Sequence, residues 1–83
     1  YSDAFKYIQE LIVRDNLLHD LNGLERFDHL EVLDISDNSN LLSILELDSL
    51  ERLEVLRIGY APNLKKQIVR LKMMRPNIEV RDF

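Results

Sequence analysis

The residues that could carry chemistry in this chain fall in three places. His19 stands beside Asp20, and His29 beside Asp28. Imidazole and carboxylate are metal ligands, but this spacing matches no metal motif, and the reading is two surface histidines with no bound metal. The run Asp34-x-Ser36-Asp37-Asn38-Ser39-Asn40 is rich in oxygen ligands. It lacks the turn glycine and terminal glutamate of an EF-hand loop. The third place is basic: Lys65, Lys66, Arg70, Lys72, Arg75 and Arg81 cluster near the C-terminus. Such a cluster can reach phosphate, although no aromatic residue interleaves it to stack on bases.

Covalent catalysis finds little purchase. There is no cysteine, and Gly23 and Gly59 are isolated rather than grouped into a phosphate loop. Ser2, Ser36, Ser39, Ser43 and Ser49 have no histidine at a suggestive spacing, though triads need not be local in sequence. The expectation is a protein that is not an enzyme and carries no cofactor.

The elements that would position these residues are set by a three-residue beat. Leu18, Leu21, Leu24, Phe27, Leu30 and Leu33 follow one another every third position, and the spacing tightens to two at Ile35. A helix drifts off such a beat and a strand alternates. A chain that turns a corner every few residues, always pointing side chains at one core, can hold it.

The frame recurs. Ile8, Leu11, Val13 and Asn16 occupy the same places as Leu30, Leu33, Ile35 and Asn38; Leu53, Leu56 and Ile58 repeat the start a third time. The repeat length is 22, then 23 residues. This resembles the leucine-rich repeat, L-x-x-L-x-L-x-x-N-x-L. The half-unit Asn16-x-Leu18-x-x-Leu21-x-Gly23-Leu24-x-x-Phe27-x-x-Leu30 looks like the 22-residue subclass named for a protein phosphatase 1 regulator. That subclass also occurs in proteins of RNA processing and mRNA export and in a prenyl transferase subunit. The tail from Pro76 to Phe83 resembles the cap that closes such arrays. The third unit departs from the pattern with Ala61 in place of asparagine. In this frame Arg81 stands where the last unit should have a leucine.

The resemblance implies an α/β fold: one short solenoid domain over 1–83, with parallel strands on the concave face and a C-terminal capping helix. Residues 1–7 form a leading segment, with repeats at 8–29, 30–52 and 53–75, the helix at 64–75 and a cap strand within 76–83. The strands fall at Leu11-Ile12-Val13, Leu33-Asp34-Ile35 and Leu56-Arg57-Ile58. Asn16 and Asn38 are structural: a buried carboxamide offers donors and an acceptor to the backbone of its own turn and the next. At Ala61, Pro62 stiffens the turn instead. Leu64, Ile68 and Leu71, with Val69, Met73 and Met74 alongside, make one apolar side of a helix laid over the open end of the array, and Pro76 stops that helix at Arg75.

Alternation along the strands turns a second set of residues outward. One outward column reads Glu10, Val32, Val55, Val80, and the next Ile12, Asp34, Arg57, Asp82. Repeat folds use such a face for docking. The expected partner-binding residues are Ile12, Val32, Val55 and Tyr60 for apolar contact, and Arg14, Asp34, Asp37 and Arg57 for register. The expected function is a non-enzymatic scaffold or adaptor that binds a protein partner. The alternatives are a nucleic-acid-associated adaptor using Lys65, Lys66, Arg70 and Lys72 against phosphate or an acidic partner, and a structural accessory domain of a larger enzyme.

Charge and composition bound the setting. Residues 1–54 carry a balance of −9 and residues 55–83 a balance of +5. That is either an ordinary solvated surface or a bipolar interaction module. No apolar run approaches the roughly 20 residues of a membrane span, and neither a glycosylation sequon nor a signal peptide is visible. Without cysteine the chain cannot build the disulfide-linked caps of extracellular relatives, so the expected setting is cytoplasmic or nuclear. The chain begins at Tyr1 and is expected to be a piece of a longer one.

Overall fold

The computed structural model describes residues 7–14, 18–38 and 40–81. The chain forms a four-stranded parallel sheet in sequence order, with one C-terminal helix. The strands are β1 (Glu10–Ile12), β2 (Val32–Asp34), β3 (Val55–Arg57) and β4 (Glu79–Arg81). β1, β2 and β3 each begin one residue earlier than the leucine spacing suggests, and β4 falls within the expected 76–83. The ladder nonetheless runs on by one bond: the amides of Val13, Ile35 and Ile58 donate to the carbonyls of Asp34, Arg57 and Arg81.

The register is uniform. Leu11 lies opposite Leu33, Leu33 opposite Leu56, and Leu56 opposite Val80. The chain thus advances 22, 23 and then 24 residues between equivalent positions. Parallel neighbours need a long connection to return to the same end of the sheet. Here the first two returns use short 3-10 segments, Leu24–Arg26 and Leu45–Ser49. The third uses a turn at Pro62–Leu64 followed by helix α1 (Lys65–Met74). Pro62 opens that turn, and the Leu64 amide closes it on the Ala61 carbonyl at 3.0 Å. The helix ends before Arg75, as Pro76 requires.

The core lies between the sheet and these return segments. Leu30, Leu33, Ile35, Leu47, Leu50, Leu56, Leu64 and Leu71 are fully enclosed, each burial stabilising by about 1.5–3 kcal/mol. The first strand's side is thinner: Ile8, Leu11, Leu18 and Leu24 pack against this cluster but are only partly buried.

Two expectations are corrected here. First, Val80, not Arg81, occupies the leucine position of the last strand. The final unit is one residue shorter than the sequence frame supposed. Sliding the frame by one residue puts a branched aliphatic side chain against the core and keeps a guanidinium out of it. The outward columns therefore end on Glu79 and Arg81, not on Val80 and Asp82.

Second, α1 does not lay its whole apolar side on the core; the expected strand follows it as β4, at one edge of the sheet. The helix lies beside the 42–50 segment. Gln67 accepts the Ile44 amide and donates to the Leu42 carbonyl, at 2.8 and 3.0 Å. Ile68 and Leu71 face the core, whereas Val69, Met73 and Met74 are exposed. At 100° per residue the apolar stripe is wider than the strip of helix that the core can cover.

Candidate partner-binding face

Alternation places Leu11, Leu33, Leu56 and Val80 inward, and their neighbours outward, on all four strands. Because the register has no offset, the outward residues line up across the sheet. One row runs Glu10, Val32, Val55, Glu79, and the next Ile12, Asp34, Arg57, Arg81. Ile12 is 58% exposed, and Val32 and Val55 are half-buried beside each other. This is a mixed apolar and charged surface, carried on paired parallel strands.

Beyond the second row lies an open cleft of about 350 Å³, lined by Arg14, Asp34, Ser36, Arg57, Gly59 and Arg81. Gly59 adopts φ +69°, in the left-handed region that glycine enters at little cost. A side chain there would come against Ser36, whose Cβ lies 3.6 Å from where its own Cβ would stand.

Asp34 organises this cleft. It is only 4% exposed. Its Oδ1 accepts the Ser36 amide at 3.0 Å, and its Oδ2 lies 3.7 Å from Arg14 Nε. Burial by itself would raise its pKa. Hydrogen bonding from Ser36 and the charges of Arg14 and Arg57 outweigh that and hold the carboxyl below its ordinary value. Asp34, one of the residues expected to meet a partner, is enclosed by its neighbours and engages the Ser36 amide and Arg14. Arg14 is exposed and spans Asp34 and Asp37, the latter at 3.9 Å.

Arg57 is half-buried, and its Nε is enclosed without a hydrogen-bond partner among the described residues. Arg81 stands opposite it and is bonded through Nε to Glu79. The sequence frame places Arg81 at the leucine position of the last unit and groups it with the C-terminal cations, not with Arg57. The signal that would have found it is the Val80 side chain, which fits the leucine column once the frame slides.

The remaining predicted site residues separate. Tyr60 is 84% exposed but lines a different cleft, with Pro62, Lys65 and Ile68. The basic cluster does not act as one patch. Arg70 pairs with Asp48 at 2.9 Å. Arg75 is half-buried, and its guanidinium donates to the Leu50 and Asp48 carbonyls, the second at 2.7 Å. Lys65 and Lys72 lie seven residues apart on one side of α1, while Lys66 points elsewhere.

Asn38 is buried, and its Nδ2 donates to the carbonyls of Val13 and Ile35, both at 2.8 Å. The donor half of its expected role is present, in its own turn and the neighbouring one. Its Oδ1 has no partner among the described residues. Asn16, its predicted counterpart, lies outside the described residues.

The two histidines make different contacts. His29 Nδ1 contacts Asp28 at 3.0 Å and its ring meets Tyr7, while the exposed His19 offers its carbonyl to the Leu42 amide. Among the described residues no three metal-ligating side chains of this kind converge, and no helix is long and apolar enough to cross a membrane. In comparisons with known proteins, no family model, no curated protein and no solved structure matches this chain.

Proposed function

We propose that this chain is a short leucine-rich repeat solenoid that works as a non-enzymatic, intracellular protein-interaction module, docking a protein partner on the exposed face of its sheet. The observation that carries the reading is the outward pair Val32 and Val55, flanked by Ile12 and Arg57 in strict register. A rigid row of half-exposed aliphatic side chains beside ordered charges offers apolar contact and orientation together. The repeat reading is supported by the 22- to 24-residue advance between aligned strands and by Asn38, which ties one turn to the next. The intracellular setting rests on the absence of cysteine.

The helix is the weaker candidate for partner contact, because Arg70 and Arg75 are already engaged within the fold. The test is affinity capture from cell extract with three proteins side by side: wild type, Val32→Glu/Val55→Glu, and Lys65→Glu/Lys66→Glu/Lys72→Glu. Proteins captured by wild type should be lost with the sheet variant and kept with the helix variant. Capture that survives the sheet variant overturns the site. Loss with the helix variant alone, reproduced by nuclease, moves the function to nucleic acid.

A further inference from the structure

Arg57 and Arg81 lie directly opposite each other on neighbouring strands, and such strands are about 4.8 Å apart. Two like charges so placed repel. Each has an acidic neighbour, yet neither is fully answered. Arg57 faces Asp34 across the register, but that carboxylate is already engaged by the Ser36 amide and Arg14. Arg57 Nε is enclosed and unpartnered among the described residues. Arg81 uses its Nε on Glu79, leaving its two terminal nitrogens for another acceptor. Arg14, Asp34, Ser36 and Gly59 complete the lining of the cleft that the two arginines share.

Resting on the reading of this face as a protein-docking surface, we propose that the cleft between Arg57 and Arg81 takes the carboxylate of an extended acidic segment in the partner protein. Carboxylate and guanidinium match as planar forks, which favours a side-chain acid over a diffuse counter-charge. The aliphatic residues beside the cleft, Val32, Val55 and Ile12, suit the apolar side chains between acids on such a segment. A nucleic-acid backbone fits this face worse. Its phosphates carry charge at every residue and would meet the exposed Glu10, Asp37 and Glu79 of the same surface more often than a segment with acids at alternate positions.

The probe is a fluorescent decapeptide of alternating glutamate and valine, titrated by anisotropy into the 83-residue chain at low salt. Matched peptides carry glutamine or lysine in place of glutamate. Wild type should bind the glutamate peptide at least about tenfold more tightly than either control. Affinity should fall by about tenfold in Arg57→Gln and in Arg81→Gln, and Arg57→Lys should lie between, since it keeps the charge and loses the fork. Arg81 is exposed, so its variant tests the site even if Arg57→Gln unfolds. Lys65→Glu/Lys66→Glu/Lys72→Glu should leave binding intact.

Equal binding of the three peptides, or equal loss in the helix variant, overturns the proposal. So does dimerisation of wild type that both arginine variants abolish, which would assign the cleft to a second copy's acidic half. Tighter binding of a single-stranded RNA decamer through the same arginines would overturn it in favour of nucleic acid. The docking reading fails separately: it falls if the Val32→Glu/Val55→Glu variant keeps every captured protein, whatever the peptides do.

Discussion

The side-chain amide of Asn38 donates to the backbone carbonyl of Val13 at 2.8 Å, across 25 residues of sequence. The same nitrogen donates to the Ile35 carbonyl in its own turn. One buried group thus joins the ends of two strands. Asn38→Ala leaves both carbonyls without this donor, the Ile35 carbonyl in a buried site and the Val13 carbonyl in a part-buried one. The expected cost is about 2 kcal/mol in urea unfolding. Asn38→Asp should cost at least as much, because a carboxylate brings no donor to those carbonyls.

Asp34 makes stability depend on acid. Its folded pKa lies below the ordinary value, so the charged form is favoured by folding. That contribution is fully present above the unfolded pKa of about 3.9 and is lost as pH falls through the folded value. Asp34→Asn should cost about 1–3 kcal/mol at neutral pH. The gap between the two proteins should stay level from about pH 6 to 8 and close progressively below about pH 4. A gap that persists unchanged at pH 2 would assign the loss to shape rather than charge.

Val80 and Arg81 separate two frames for the last strand. With Val80 against the core, Val80→Asp should destabilise by about 1–3 kcal/mol. Arg81→Gln, at an exposed position, should stay within about 0.5 kcal/mol of wild type. The opposite order of effects would restore the frame in which Arg81 occupies the leucine position.

Arg75 and Lys66 look alike in sequence and should behave differently. Arg75 donates to two backbone carbonyls at the end of the 45–49 segment. Arg75→Met removes these donors and should cost about 1–3 kcal/mol. Lys66→Met, on the exposed side of α1, should move the unfolding midpoint little.

What the sequence determined by itself is the repetition. Leucines at a fixed beat commit one side of each strand to the core, because a one-residue slip would turn every apolar side chain to water. That is why Leu11, Leu33 and Leu56 align, why Asn38 is buried at the turn, and why Ile12, Val32, Val55 and Arg57 share the other face. The helix was legible from its 3.6-residue spacing and from Pro76.

Only the tertiary structure decided how charges from different strands meet. Asp34, outward by alternation, is enclosed because Arg14 and Ser36 close on it. Arg75, one of several cations in a run, is spent on carbonyls 25 and 27 residues away. Arg81 joins Arg57 through a frame shift of one residue that packing of Val80 selects. A local pattern names the face a residue occupies. The partner it finds there depends on the register between strands and on which polar groups the core leaves unanswered, and both are properties of the assembled chain.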